Sequence, residues 1–509
     1  MKNLIYIYGS TLLIVILNFI VRKVFLDVLT VDYLGYDSLF TSIFSLLSLS
    51  EMGIATIITY QMYSEIATNN VYQIRKLLYT YKLIYRIVGA FVLFAGAVVS
   101  PFIPLILKDT PTDSWAFIYT IYFLQLLATL CTYFLAYRRI LFITYQKIYV
   151  CTLVDTVVNI ISVIARMMVL LWLRNYIIYL LISVASNVTS NLIISQKSKK
   201  EFPEITSVKV TKEDIRNMNL FHDIKNMMAT KIAGTVYGCS DDIIITYFLG
   251  ITTNGLVNNY KMITSKLQEF IISLFSSMQA SIGNLVYDKD TKNGIGFFKA
   301  LDLLGFLMGI VISTGLIAVG QPFILLWLKS DNYLLPYTFL IALSVNIFIA
   351  ICNNPINYFR NTLGHFETDR NYMIAAAIVN IVFSILLSIK LGITGVIIAT
   401  VMGHILIFMG RTVVVFRYYI NEKPGKYYLL FLSRLILLGI SAIASVFAGM
   451  FFDNIISNHL LLFLIKGFIS VIISLIIFTL ANFRSESFKI LISYFKKVFG
   501  VIVKRKTNE

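Results

Sequence analysis

Fourteen apolar runs, joined mostly by short polar connections, make up nearly the whole of this chain. They cover residues 4–28, 38–62, 83–107, 115–137, 150–172, 176–195, 226–249, 255–284, 300–328, 334–358, 372–389, 393–417, 429–452 and 460–482. A helix crossing the bilayer core needs about 20 such residues. Only helices and closed barrels satisfy every backbone group there. Composition agrees: 58% of the 509 residues are hydrophobic and 14% charged, with a mean hydropathy of +0.80. A soluble domain has about 45–50% apolar and about 25% charged residues, so a soluble enzyme is excluded. The first run is too long for a signal-peptide core and no small-residue cleavage site follows, which predicts a retained first span.

The formal net charge is +17, and its distribution explains it. If the connections alternate from an inside start, 28 Lys and Arg lie inside and four (Lys108, Arg174, Lys329, Lys390) outside. Basic residues concentrate in cytoplasmic connections of polytopic proteins. Both termini are therefore expected in the cytoplasm, and no nucleic-acid partner is implied. Lys82, Arg86, Lys231, Arg411 and Arg434 lie toward cytoplasmic span ends, where a long side chain reaches back to water. The four cysteines are scattered, without metal-ligand or disulfide spacing.

An internal repeat sets the architecture. Pro101-Phe102-Ile103-x-Leu105-x-Leu107-Lys108 returns as Pro322-Phe323-Ile324-x-Leu326-x-Leu328-Lys329, a shift of 221. The same shift pairs Tyr137 and Arg139 with Tyr358 and Arg360, and Val158-Asn159-Ile160 with Val379-Asn380-Ile381. The offset is six runs, an even number, so both copies share one orientation. The expected fold is an all-α polytopic membrane protein of about 14 transmembrane helices, in two pseudo-symmetric six-helix bundles plus a C-terminal helix pair. The division is residues 1–196 for the N-terminal bundle, 197–225 for a cytoplasmic linker, 226–420 for the C-terminal bundle, and 421–509 for helices 13–14 with a basic cytoplasmic tail.

Charges within spans are costly and mark functional positions. The first run carries Asn18, Arg22, Lys23 and Asp27 at four-residue spacings, as a polar face or, if that helix ends near Val21, as interfacial residues. Ser38, Thr41, Ser45, Ser48 and Glu51 form a stripe in the second, fit for helix packing or, with the carboxylate, for lining a cavity. Asp155, Asn159, Ser162 and Arg166 share one helical face, its ends about 16 Å apart. The seventh run brings Lys231, Thr235, Asp241 and Asp242, and the eighth Lys261, Lys266, Gln268 and Glu269. Lys266 and Glu269, three apart, also suit a locally neutralised pair, and His404 reads as a packing histidine. Serine-hydrolase, zinc-protease and Walker-type motifs are missing from the sequence, so no enzyme is indicated.

At these positions the chain resembles a known family. Ser240-Asp241-Asp242-Ile243-Ile244-Ile245-Thr246-Tyr247-Phe248-Leu249-Gly250, followed by Gly255-Leu256-Val257-Asn258-Asn259-Tyr260, is similar to the helix 7–8 signature of polysaccharide repeat-unit (Wzx-type, O-antigen and capsule) flippases. These belong to the MATE-like multidrug/oligosaccharidyl-lipid/polysaccharide (MOP) superfamily. Leu49-Ser50-Glu51-Met52-Gly53-Ile54-Ala55, Asn175-Tyr176-Ile177-Ile178-Tyr179-Leu180 and Arg360-Asn361-Thr362-Leu363-Gly364 also fit. Arg22 resembles the first-helix arginine of lipid II flippases, although Lys23 stands where those relatives carry an acid.

The resemblance implies a flippase of the bacterial cytoplasmic membrane. It would carry undecaprenyl-pyrophosphate-linked oligosaccharide from inner to outer leaflet by alternating access, for capsule or similar surface polysaccharide, among membrane lipids, glycosyltransferases and a polymerase. Under that reading Arg22, Lys23, Arg166 and Lys266 receive the diphosphate, since guanidinium and ammonium groups donate to phosphate oxygens. Ser45, Ser48, Asn159 and Gln268 bond sugar, while Glu51, Asp242 and Glu269 balance charge or couple to H+ or Na+; no metal or organic cofactor is expected. One alternative is a cation-coupled drug or small-molecule exporter of the same superfamily, which would favour an acidic cavity. The other is a membrane polysaccharide polymerase or acyltransferase, which would call for larger outside loops.

Overall fold

A computed structural model describes residues 2–48, 54–107, 113–207, 210, 224–287, 291–453, 455–456, 458–494 and 496. Among the described residues there are helices and no strands. The long helices are α1 (Lys2–Val28), α2 (Asp32–Leu47), α3 (Ile54–Ala67), α4 (Val71–Val99), α5 (Trp115–Leu135), α6 (Ile148–Trp172), α7 (Tyr176–Glu201), α8 (Ile224–Leu249) and α9 (Ile251–Ser276). After them come α10 (Thr291–Leu328), α11 (Tyr337–Leu363), α12 (Phe366–Leu391), α13 (Ile393–Val415), α14 (Gly425–Asp453) and α15 (His459–Asn482). Ten segments among the described residues are long and apolar enough to cross a membrane, from Val71–Ile106 to His459–Asn482. This is a multi-pass membrane protein.

The helix ends follow local chemistry. Asn70, Ser114, Asn175 and Asn458 each accept a hydrogen bond from a backbone N–H of the turn they precede, satisfying donors that a helix start leaves unpaired. Gly364 closes α11 with φ of 75°, a left-handed conformation that favours glycine. Within the second predicted span, α2 runs to Leu47, where Ser48 Oγ donates to the Phe44 carbonyl, and α3 is described from Ile54. Glu51 lies outside the described residues. Helix α4 starts at Val71, a dozen residues earlier than the apolar run suggested, because Asn70 caps it there.

The chain packs as two compact units, Met1–Asn258 and Asn259–Glu509. The sequence suggested a division at residues 197–225, whereas packing divides the chain at Asn258, inside α9. Two features hold α8 to the first unit: it packs along α2, and Ser42 Oγ donates to Asp242 Oδ2 at 2.6 Å. The start of α9 is seated there too, with Thr252 Oγ1 on Asp32 Oδ1 at 2.6 Å and Asn254 Nδ2 on Thr246 Oγ1 at 3.0 Å.

In the second unit α10, α11 and α13 enclose an aromatic core that includes Phe306, Phe339, Phe348, Phe359 and Phe408. Two cations expected to reach water meet carboxylates instead, Arg434 buried and Arg411 half-buried. Arg434 of α14 makes bonds of 3.0 and 2.6 Å to the two oxygens of Asp302 on α10, its guanidinium 5.0 Å from the Phe306 ring centroid. Arg411 donates to Asn357 and lies 3.8 Å from Asp369, which also pairs with Arg360. A low-dielectric interior favours such cations beside a carboxylate that replaces water. Arg86, by contrast, is exposed. Thr314, Ser441 and Ser474 hydrogen-bond in sequence at 3.1 Å each, joining α10, α14 and α15.

Candidate functional site

The first unit contains two adjoining cavities among helices that are otherwise apolar. The larger, about 570 Å³, is lined by Asp37, Thr41, Ser45 and Ser48 of α2, Gln125 and Thr129 of α5, Ser183 and Asn187 of α7, and Lys231 of α8. The smaller, about 400 Å³, is an alcove between α6 and α7. Its walls are Asp155, Asn159, Ser162 and Arg166 from α6, Ser183, Ser186, Asn187, Ser190 and Asn191 from α7, and Arg139 from the short helix Arg139–Thr144. Ser183 and Asn187 belong to both cavities. Thr41, Ser45 and Ser48 of the α2 stripe and the polar face of α6 thus line these cavities.

Charges are placed within and beside these cavities by named contacts. The Asp37 carboxylate accepts from Gln125 Nε2 at 2.9 Å and feels the positive charges of both Arg22 and Arg166. Arg22 Nη1 donates to Asn258 Oδ1 at 2.8 Å. Arg166 lies 5.3 Å from the Tyr179 ring centroid and donates weakly to its hydroxyl at 3.4 Å. Neither Arg166 nor Lys231 has a carboxylate within salt-bridge distance among the described residues. Arg139 is different, because its two terminal nitrogens meet Asp155 at 2.7 and 2.8 Å while its Nε donates to Asn191.

Aromatic rings gather where α1, α2 and α7 meet. Tyr33 stacks on Tyr176 with centroids 4.8 Å apart, and Phe25 meets Tyr176 and Tyr179 edge-on. The Tyr33 hydroxyl donates to Asp113 at 3.3 Å in the connection before α5. Burial raises the Asp113 carboxyl above its ordinary value, against the effect of that hydrogen bond and with help from the charge of Asp32.

The sequence-predicted residues separate into groups. Ser45 and Ser48 line the larger cavity, Asn159 and Arg166 the alcove, and Arg22 shares with Arg166 the field of Asp37. Lys23 stands apart from them, tied to Asp27 one turn along α1. Lys266 pairs with Glu269 at 2.8 Å, and Gln268 is half-buried nearby on α9. Asp242 is buried against Ser42. Asp37, Gln125, Arg139 and Lys231 were missed as site residues. Arg139 had a signal in its repeat partner Arg360, and both arginines hold an aspartate. Asn159 and its repeat partner Asn380 differ: Asn380 is fully buried and bonds Thr400, while Asn159 faces open space.

A sequence profile of the family described as "Polysaccharide biosynthesis protein" matches residues 1–278. An uncharacterized membrane protein, MJ1068, of Methanocaldococcus jannaschii (strain ATCC 43067 / DSM 2661 / JAL-1 / JCM 10045 / NBRC 100440) is 23% identical over 318 residues, spanning 61% of each chain. Among solved structures, the lipid II flippase MurJ in an inward closed conformation superposes with a TM-score of 0.69 at 14% identity, covering 94% of this chain and 98% of that one. An inward-facing multidrug resistance MATE family transporter of the MOP superfamily gives 0.59 at 9% identity, covering 79% and 93%. At these identities the likeness is one of fold.

Proposed function

The chain belongs to the polysaccharide biosynthesis protein family, and from that premise we propose that it flips a lipid-linked oligosaccharide across the membrane. The cargo in this reading is an undecaprenyl-pyrophosphate-linked repeat unit, taken from the inner to the outer leaflet of a bacterial cytoplasmic membrane for capsule or a similar surface polymer. Both chain termini lie on the cytoplasmic side, glycosyltransferases act before this step, and a polymerase acts after it. No bond is made or broken.

The observation that carries this reading is two polar cavities inside a spanning bundle, with Asp37 on the wall of one and Arg166 on the wall of the other, and with Arg22 and Arg166 both acting on the Asp37 charge. Holding cations at that depth is costly, and an anionic headgroup offsets the cost. Arg22 and Arg166 supply the donor forks for a diphosphate, with Lys231 as a further point charge. Asp37 balances the arginines while the site is empty and is released when phosphate arrives; it and Asp242 are the groups to which H+ or Na+ would couple. In this reading Lys23 and Lys266, each paired with a carboxylate one turn along its own helix, are not assigned to the phosphates.

The test is leaflet exchange in proteoliposomes containing a fluorescent undecaprenyl-diphosphate oligosaccharide, read by quenching from outside. Wild-type protein should make the inner-leaflet pool accessible, and Arg22→Ala/Arg166→Ala should not, while eluting as a folded species. Full exchange by that double variant would overturn the assignment. A second reading, export of an organic cation, is favoured by the Asp37 carboxylate on the cavity wall. It requires a fluorescent cation to accumulate in the same vesicles while the lipid stays in place.

A further inference from the structure

The flippase reading leaves unexplained why the first unit has two chambers of different chemistry. The larger cavity includes Phe44, Ala55, Leu124, Ala128, Leu180 and Val184 in its wall. The alcove has one apolar lining residue, Val158, and every other lining side chain is a serine, an asparagine, an arginine or an aspartate. Water alone does not require so dense a set of donors and acceptors within an apolar bundle.

Two features point to a ligand. The side chains of Asn159, Ser183, Ser186 and Asn187 make no hydrogen bond to any described residue, so the alcove presents unused donors and acceptors on both walls. At one end the Arg139–Asp155 pair, braced by Ser190 and Asn191, offers guanidinium donors and carboxylate acceptors side by side. Adjacent ring hydroxyls, each both donor and acceptor, match that pairing. At the other end Arg166 lies in the field of Asp37, which it shares with Arg22. The distance along α6 from Asp155 to Arg166 is about 16 Å, longer than one pyranose ring.

We propose that the alcove is a saccharide subsite, receiving the neutral, hydroxyl-rich sugar nearest the diphosphate, with Arg166 at the phosphate end and Arg139–Asp155 at the far end. This rests on the flippase reading and adds to it a division of labour: the phosphates are held at the arginine–aspartate cluster, and the sugar is read by α6 and α7. Asn159 is a binding residue, while Ser190 and Asn191 position the ion pair.

Binding to the full-length protein in nanodiscs tests this with three probes: undecaprenyl diphosphate, and the same lipid carrying a single glucose or N-acetylglucosamine. At least one glycosylated probe should bind about tenfold more tightly than the bare lipid, as one or two added hydrogen bonds provide. Asn159→Leu should bring that ratio below about twofold while leaving the bare lipid's affinity unchanged. If Asn159→Leu does not elute as a single folded species, Ser186→Leu, on the facing helix, asks the same question. Equal binding of all three probes by wild type, or an unchanged ratio in the folded variant, overturns the saccharide subsite and leaves the flippase reading standing. Failure of every probe to bind overturns both.

Discussion

Arg139 and Asp155 form a two-pronged ion pair, with nitrogen–oxygen distances of 2.7 and 2.8 Å, that joins the segment after α5 to α6. The pair is part-exposed, at 28% and 43% of the side-chain surface. Removing one partner of a fully buried pair costs about 3–5 kcal/mol; partial exposure reduces this to about 1.5–3 kcal/mol, the value of hydrogen bonds to a charged group. Arg139→Ala and Asp155→Ala should each lower thermal stability by that amount, and the double variant by less than their sum. Unfolding of all four proteins in detergent measures the coupling, and additivity within about 0.5 kcal/mol would mean the two residues do not interact.

The Asp302–Arg434 pair behaves differently because it is dry, with 6% and 5% of the side chains exposed. Arg434→Met alone should lose about 3–5 kcal/mol by stranding the carboxylate. Replacing the pair together, as Asp302→Leu/Arg434→Met, should restore stability close to wild type, provided Tyr427→Phe removes the hydroxyl that now donates to Asp302. Chemical denaturation in mixed micelles ranks the variants. A triple variant, Asp302→Leu/Arg434→Met/Tyr427→Phe, as unstable as the single one would show that the pair contributes more than mutual neutralisation.

The helices and the α6 face were legible in the sequence because both depend on local spacing. Asp155, Asn159, Ser162 and Arg166 lie within one helix, and 3.6 residues per turn puts them on one side wherever that helix packs. Partners contributed from afar were not legible. Nothing near Arg434 in the chain announces Asp302, 132 residues away, so depth from the span end gave the wrong environment. Lys231 was misread for the same reason: its position near the start of α8 says nothing of the cavity beside it. Arg22 and Lys23 are adjacent, yet successive helical positions point about 100° apart, and Lys23 is held by Asp27 instead.

That contrast gives a transport prediction. Lys231 lines the larger cavity and has no carboxylate partner among the described residues, so its charge is available to a phosphate. Lys231→Ala should weaken binding of undecaprenyl diphosphate by about tenfold to about a hundredfold, the worth of one charge-assisted contact. Lys23→Ala, at a side chain paired with the exposed Asp27, should change it by less than about threefold. Equilibrium binding in nanodiscs compares the two. Equal effects would mean that the cavity's charge is not what the headgroup meets.

Close packing at the start of α9 sets the last expectation. A Cβ on Gly35 would lie 2.2 Å from the Ile251 carbonyl oxygen, and one on Gly255 would lie 2.2 Å from that of Val31. In each case backbone rather than a movable side chain stands in the way. Alanine normally gains about 1 kcal/mol over glycine inside a helix, whereas overpacking costs about 1–3 kcal/mol or more when backbone must shift. Gly35→Ala and Gly255→Ala should therefore both lower the melting temperature. Gly238→Ala on α8, with nothing within 4 Å of the added carbon, should leave it unchanged or raise it. The crossing also aligns Thr252 with Asp32, so the two destabilised variants should lose the effect of a further Thr252→Val substitution. A full additional loss on that background would show that α2 and α9 keep their contact despite the added methyl group.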